Sequence, residues 1–283
     1  MEDPVLTRTH LWLGQRLRSR IRQLKVTVMG CGGLGVRFII EASHLGIPHF
    51  VICDPDDLDE TNLNRYVIAT RSSIGMKKVD VVQDYLNTLF PNITVLSRYQ
   101  RFPSDILVHD IGNSDYVVAC FDDLHARLQL DILCRRMNVT LVDLGTGFAR
   151  AEDDNRILSS GGQVIVSRPR GPCLMCAGFD LTSRPNDYFV PESDLVEPSF
   201  LTINSMIAAL GLEVLFRELA GELPPTNRIE YRRDDLKILH LAKSHRAGCS
   251  ICGNDRGTPD LNFLEVKELR KKLSGLGIKM AES

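Results

Sequence analysis

A glycine-rich turn between two apolar segments is the feature that most restricts what this chain can fold into. Residues 26–29 are predicted as a buried strand, and apolar residues recur with helical spacing over residues 36–45. Between them, residues 30–35 read Gly-Cys-Gly-Gly-Leu-Gly. Such a turn lets a phosphate approach backbone N–H groups at a helix N-terminus, although a tight turn used only for helix packing would have the same sequence.

Strands and helices alternate through the first half of the chain. Four more strands are predicted there, at residues 49–53, 93–96, 116–120 and 139–143. Helices are predicted between them at residues 76–90 and 122–136. This order indicates an α/β fold with a Rossmann-like, doubly wound, mostly parallel sheet, whose ligands bind at the carboxyl ends of the strands.

The remaining segments follow other patterns. Residues 1–24 are predicted as an N-terminal helical segment (an amphipathic helix over 12–24), residues 25–252 as the main domain, and residues 253–283 as a helical tail. Within the second half of the main domain, the predicted elements are a charged turn (152–156), a strand (163–166), a long polar crossover loop (184–198), an apolar helix (199–220) and an antiparallel hairpin (229–241). The tail helix, at 261–273, is predicted to dock on its own domain rather than on a partner.

Composition excludes several classes of function. The 34 basic residues nearly balance the 36 acidic ones, so the overall charge gives no reason to expect nucleic acid or an anionic membrane as the partner. No segment approaches the roughly 20 consecutive apolar residues of a membrane span, and the first ten residues contain no apolar signal region. We therefore expect a cytoplasmic protein.

Polar residues after the second predicted strand point to a nucleotide. Asp54 ends that strand about 20 residues after the glycines, where a ribose-binding carboxylate belongs. The glycines and Asp54 fit NAD and ATP equally well. Asn62, Arg65 and Lys78 favour ATP, because a triphosphate attacked at its α-phosphate needs cations to offset its charge, whereas a redox cofactor does not.

Asp122 follows the fourth predicted strand and adds a carboxylate on the same edge of the sheet. Its predicted role is to hold Mg²⁺, which proteins usually bind through one or two carboxylates together with phosphate oxygens. The alternative is an N-cap of the helix at 122–136, a role that Asp123 could equally fill.

These motifs together resemble the ThiF/MoeB-type branch of the ubiquitin-activating enzymes, over roughly residues 13–252. The resemblance implies a homodimer that uses ATP and Mg²⁺ to adenylate the C-terminal carboxylate of a ubiquitin-like protein, a sulfur-carrier protein or a peptide. It also implies an arginine from the dimer mate, for which Arg16 is favoured over Arg8, Arg18 and Arg20; the alternative for each of them is a solvated arginine on the face of a helix. The implied cofactor-binding residues are Gly30, Gly32, Gly33 and Gly35 around the phosphates, Asp54 on the ribose, Asn62, Arg65 and Lys78 on the triphosphate, and Asp122 on magnesium; Asp56 is predicted as a further cofactor-binding residue.

Two cysteine pairs predict a structural zinc site. Cys173 and Cys176, like Cys249 and Cys252, have the spacing that presents two thiolates to one tetrahedral ion. Four thiolates leave zinc no open position for catalysis, so the ion would join two distant parts of the chain. Two disulfides are the alternative, disfavoured in a reducing compartment. The other four cysteines are predicted as buried, reduced thiols.

The chain also departs from the family pattern. No cysteine lies between residues 177 and 248, so either the reaction stops at the acyl-adenylate or a separate sulfurtransferase or conjugating protein supplies the thiol. Tyr66 stands where many members have Gln. Two alternative functions are an NAD-dependent oxidoreductase and a non-catalytic subunit of an activating heterodimer, which would be expected to lack Arg65, Lys78 or Asp122.

Overall fold

The structure is a computed structural model that describes residues 4–150, 157–179, 199–222, 227–249 and 251–252. The predicted charged turn (152–156), crossover loop (184–198) and tail helix (261–273) lie outside these residues.

One eight-stranded sheet forms the centre of the fold, in the order β3-β2-β1-β4-β5-β6-β7-β8. The first five strands pair in parallel and the last three continue the same sheet in antiparallel fashion. The Rossmann-like prediction is confirmed, and β6 joins the predicted hairpin to the parallel part. The strands are β1 (Lys25–Met29), β2 (His49–Cys53), β3 (Thr94–Arg98), β4 (Tyr116–Ala119), β5 (Thr140–Arg150), β6 (Ile157–Ser167), β7 (Arg228–Arg232) and β8 (Lys237–Leu241).

The described helices lie on both faces of this sheet, as their two separate hydrophobic clusters indicate. One face carries α2, α3 and α6, and the other carries α4 and α5. None of the described helices combines the length and apolar character needed to cross a bilayer. The helices are α1 (Thr7–Ile21), α2 (Gly33–His44), α3 (Lys78–Leu89), α4 (Asp105–Gly112), α5 (Leu124–Arg136) and α6 (Leu201–Ala220).

Several elements differ from their predictions, among them the predicted strand at 163–166, which is the longer β6 (Ile157–Ser167). Helix α1 begins five residues before the predicted start at residue 12, and its backbone is interrupted at Gly14, whose φ is 69°. Helix α4 was not predicted, since eight residues give too short an apolar pattern; Arg98 on β3 holds it through Asp110, with Nε 2.6 Å from Oδ2. Strand β5 is longer than predicted because its second half pairs with β6 instead of β4.

Candidate nucleotide site and four-cysteine cluster

A cleft of about 1500 Å³ lies at the carboxyl ends of the parallel strands. Strand β1 lies between β2 and β4 in the sheet. The chain therefore leaves β1 toward one edge of the sheet and leaves β4 toward the other edge. Doubly wound sheets bind ligands at such a switch point, which here lies between β1 and β4. Nine of the predicted nucleotide-site residues line the cleft: Gly30, Gly32, Gly33, Asp54, Asp56, Asn62, Arg65, Lys78 and Asp122.

The glycine turn presents the N-terminus of α2 to this cleft. Helix α2 begins at Gly33, and the preceding Gly32 has extended backbone and open space around it. Gly30 has a φ of +98°, a conformation that favours glycine. Gly35 is not among the cleft-lining residues. A Cβ there would lie 1.9 Å from the carbonyl oxygen of Gly30, so Gly35 allows the helix to pack against the turn.

We therefore expect Gly35→Ala to destabilise the fold by about 3 kcal/mol, because the clash is with backbone that cannot rotate away. Urea denaturation measures the change. Gly32→Ala is the matched control, since a Cβ at Gly32 meets nothing within 4 Å. Equal stabilities of the two variants would contradict the packing role of Gly35.

Asp54 is buried and joins the glycine turn to the loop at residues 54–66, called here the acidic loop. Its Oδ2 accepts a hydrogen bond from the Cys31 N–H at 2.6 Å, and its Oδ1 accepts one from the Asp56 N–H at 2.9 Å. Burial raises the pKa of Asp54, while Lys78 and the two N–H groups act in the opposite direction. Lys78 Nζ lies 2.9 Å from Asp56 Oδ2 and 3.9 Å from Asp54 Oδ1. The lysine is thus held at the cleft by carboxylates.

Asn62 and Arg65 come from a short 3₁₀ turn, Glu60–Asn62, and the residues that follow it. The Asn62 amide oxygen caps this turn by accepting from the Asp59 N–H. Arg65 donates from Nη1 to Thr61 O and Asn64 Oδ1, both at 2.9 Å, and its aliphatic part lies against Gly33. Burial lowers the pKa of Arg65. These contacts direct a guanidinium and an amide to the N-terminus of α2.

Tyr66, the departure from the family pattern, has a structural role. The ring is 1% exposed, and its hydroxyl donates to the Lys78 backbone carbonyl at 3.1 Å. This bond fastens the acidic loop to the first turn of α3.

Asp122 and Asp123 have different environments. Asp123 is the N-cap of α5 and accepts from the N–H groups of His125 and Ala126. Asp122 is exposed at the cleft and, within the described parts of the chain, has no hydrogen-bond or ion-pair partner. The alternative role of Asp122 as the N-cap is therefore wrong.

The N-terminal arginines do not reach the cleft of their own chain. Arg16 and Arg8 are exposed on α1, and neither lines the cleft. Arg20 donates to the Leu219 carbonyl at the end of α6. The structure thus does not bring Arg16 together with the other predicted site residues.

A buried ion pair at the wall of the cleft is not predicted by the sequence pattern. Arg127 on α5 donates Nε to Asp143 Oδ1 at 2.8 Å and Nη2 to Asp143 Oδ2 at 2.6 Å, with both side chains at most 1% exposed. Arg127 lies in the first turn of α5, five residues after Asp122. This short distance in sequence from a predicted site residue is the one signal that could have identified Arg127. Asn204 on α6, 2% exposed, also lines the cleft.

The four cysteines outside the two predicted zinc-binding pairs differ in exposure. Cys31, Cys53 and Cys134 are buried, as predicted, whereas Cys120 is only half-buried and lines the cleft. Burial and the nearby Asp143 carboxylate raise the pKa of the Cys120 thiol.

The two predicted cysteine pairs meet in one cluster. All four sulfurs lie within 4.8 Å of one another, with Cys173 Sγ 3.6 Å from Cys249 Sγ and Cys176 Sγ 3.4 Å from Cys252 Sγ. A tetrahedron with Zn–S distances of about 2.3 Å has S–S edges of about 3.8 Å, whereas a disulfide needs about 2.05 Å. The donor set and its spacing therefore fit zinc rather than disulfides.

Curated relatives of the chain carry adenylyltransferase or activating-enzyme names. It is 24% identical over 247 residues to the sulfur carrier protein ThiS adenylyltransferase of Escherichia coli, covering 86% of this chain and 91% of the relative. It is 26% identical over 260 residues to the SAMP-activating enzyme E1 of Haloferax volcanii, covering 89% and 90%. The match to the adenylyltransferase and sulfurtransferase MOCS3 of Culex quinquefasciatus is 27% identical and covers 58% of this chain, but only 35% of that longer relative.

Solved structures agree on the fold. E. coli MccB in complex with MccA-N7isoASN superposes with a TM-score of 0.72 at 20% identity, covering 90% of this chain and 75% of MccB. The complex of MccB with ATP gives a TM-score of 0.69 over 89% of this chain and 75% of MccB. The sequence matches the ThiF family over residues 6–251, nearly the whole chain. With the glycine turn, Asp54, Arg65, Lys78 and Asp122 around one cleft, this match establishes that the chain belongs to the ThiF family.

Proposed function

We propose that this protein binds ATP·Mg²⁺ in the cleft and adenylates the C-terminal carboxylate of a small carrier protein or peptide. The observation that carries the proposal is the convergence of Lys78, Arg65 and Asn62 with the N-terminus of α2. Cations, an amide and backbone N–H groups are the groups that stabilise phosphates and the charge of a pentacoordinate transition state.

Each group has a separate role. Lys78 leaves its contact with Asp56 to bind the triphosphate together with Arg65, while Asp54 binds the ribose. The exposed Asp122 carboxylate, which has no protein partner in the described residues, would hold the Mg²⁺, and the ion would offset negative charge on the phosphates. A carboxylate substrate is already ionised at neutral pH, so no general base is required. A carboxylate oxygen of the substrate would attack the α-phosphorus of ATP while the bond from that phosphorus to pyrophosphate breaks, so catalysis consists of positioning and charge stabilisation.

The acyl substrate follows from the named relatives, which include an adenylyltransferase of a sulfur carrier and an activating enzyme of SAMP. A free peptide is the third candidate, since MccB was solved with MccA. The sequence between residues 177 and 248 has no cysteine to accept the acyl group. The chemistry of this chain therefore ends at the acyl-adenylate, and a separate sulfurtransferase or conjugating protein would take the next step.

A homodimer would complete the site. Helix α1 exposes Leu11 (81%) and Trp12 (77%), and this exposed apolar surface suits a second copy of the chain. Arg16 on the same helix would then reach the partner's cleft rather than its own. A cytoplasmic location remains a prediction from the sequence.

Pyrophosphate exchange into ATP tests the proposed reaction. Three probes represent the substrate classes: ThiS, a SAMP and the MccA peptide, each with a free C-terminal carboxylate. We expect Mg²⁺-dependent exchange with one of them and none when its C-terminus is amidated. Binding of NAD in place of ATP, measured by calorimetry, would instead support the oxidoreductase.

The four-cysteine cluster is proposed to hold structural zinc. We expect Cys252→Ala to lower the metal content, measured by mass spectrometry, from one zinc ion per chain to nearly none, because three thiolates leave the tetrahedron incomplete. Cys134→Ala, another buried cysteine, is the control and should retain its metal. Full zinc content in Cys252→Ala would contradict the assignment.

A further inference from the structure

A stripe of buried charged residues runs along one face of α5, from the cleft toward the four-cysteine cluster. Arg127, Asp131 and Arg135 are spaced by four residues and therefore project from the same side of the helix. Their exposures are 1%, 0% and 4%. Arg127 lines the cleft, whereas Asp131 contacts Leu174 within the first cysteine pair and Arg135 contacts Gly171 just before it.

At the cysteine end, α5 holds that segment by its backbone. The Asp131 carboxylate accepts from the N–H of Leu174, which lies between Cys173 and Cys176, at 2.8 Å. Arg135 Nη1 donates to the carbonyl of Gly171 at 3.0 Å. These bonds fix the first cysteine pair relative to the helix.

The turn that contains Cys173 and Cys176 also places the Phe179 ring against Arg127, at the cleft end of the stripe. Residues 173–179 form a compact turn, in which the Ala177 N–H donates to Cys173 O at 2.9 Å and the Phe179 N–H to Leu174 O at 3.0 Å. The Phe179 ring centroid lies 4.5 Å from the guanidinium carbon of Arg127. The turn that supplies two thiolates thus also supplies a cation–π contact.

The Arg127 guanidinium is confined on three sides. Asp143 binds it in bidentate fashion, Phe179 covers it, and a Cβ on Gly145 would lie 2.7 Å from Nη2. Gly145 belongs to β5 and also lines the cleft. A displaced guanidinium would therefore alter the shape of the cleft wall.

We propose that Arg127 is a positioning residue of the nucleotide cleft, and that zinc in the four-cysteine site sets its position through Phe179 and the contacts of α5. The proposal rests on the proposed function for the identity of the nucleotide. Loss of zinc frees the turn at residues 173–179, Phe179 leaves the guanidinium, and nucleotide binding weakens even where the rest of the fold survives.

Phe179→Leu separates this coupling from folding, because it keeps an apolar side chain at the site and removes only the ring. Zinc-loaded Phe179→Leu should bind a non-hydrolysable ATP analogue roughly tenfold more weakly than wild type by calorimetry, while retaining one zinc ion per chain. Phe216→Leu is the matched control, since Phe216 is 7% exposed and Phe179 is 6% exposed, but Phe216 packs in the cluster on the other face of the sheet. It should bind the analogue as wild type does.

Zinc removal with a chelator supplies the second comparison. Removing zinc from wild type should weaken binding of the ATP analogue by a similar factor. Removing zinc from Phe179→Leu should weaken binding little further, because both changes act through the same contact. The proposal would be overturned if Phe179→Leu bound the ATP analogue as tightly as wild type does. It would also be overturned if zinc removal weakened binding by Phe179→Leu as much as it weakens binding by wild type.

Hydrogen–deuterium exchange of residues 124–131 gives a readout that needs no nucleotide. Faster exchange in Phe179→Leu than in Phe216→Leu supports the coupling, and equal exchange refutes it. If zinc-loaded wild type binds no ATP analogue, the proposed function fails, and this exchange comparison still decides whether the cysteine site acts on Arg127.

Discussion

Replacing Asp122 or Lys78 by alanine is expected to lower carrier-dependent exchange of pyrophosphate into ATP by at least about a hundredfold, the effect of removing one preorganised charge from a transition state. Asp122 is exposed, so its replacement should leave the fold intact. Lys78 begins α3, and among the described residues its ammonium group lies near the Asp54 and Asp56 carboxylates. Its replacement leaves the buried Asp54 without this counter-charge, so stability should fall measurably in urea denaturation while the chain stays folded.

Adjacent residues provide the controls. Asp123→Ala removes the N-cap of α5 and should cost about 1 kcal/mol of stability while leaving exchange nearly normal. Lys77→Ala removes a cation that lies over the Tyr99 ring and does not line the cleft, so exchange should also persist. Near-normal exchange in both Asp122→Ala and Lys78→Ala would rule out the site.

Arg127→Leu is expected to destabilise the protein by about 4 kcal/mol, because it leaves the fully buried Asp143 carboxylate without its partner. Urea denaturation measures the loss. The double variant Arg127→Leu/Asp143→Leu should recover most of it, since removing both charges also removes the cost of burying them. If the double variant were no more stable than Arg127→Leu, the loss of stability would come from altered packing and not from the unpaired Asp143 charge.

The comparison pair for this experiment is Arg168 and Glu218, which have the same bidentate geometry at 2.8 and 2.6 Å. Their side chains are 32% and 15% exposed, so solvent screens the interaction. Arg168→Leu should therefore cost only about 1 kcal/mol. A loss as large as that of Arg127→Leu would show that burial is not the deciding variable.

Local patterns were sufficient to predict much of the fold. Strand β2 was predicted at its observed bounds, and the glycine turn, with Asp54 after the next strand, identified the edge of the sheet where the cleft lies. Helix α4 escaped prediction because eight residues carry too little periodicity, and the bounds of β5 were wrong because its second half depends on pairing with a distant strand.

The sequence by itself determined the cleft residues that follow strand ends, since the carboxyl ends of parallel strands meet at one edge whatever the details of packing. It also determined the four-cysteine cluster, because cysteine spacing limits how two pairs can share one ion. Only the tertiary structure decided that Gly35 serves packing, that Asp123 rather than Asp122 caps α5, and that Arg16 lies away from its own cleft. The same holds for Arg127, whose partners Asp143 and Phe179 lie 16 and 52 positions away along the chain and meet it only when α5 packs on the sheet.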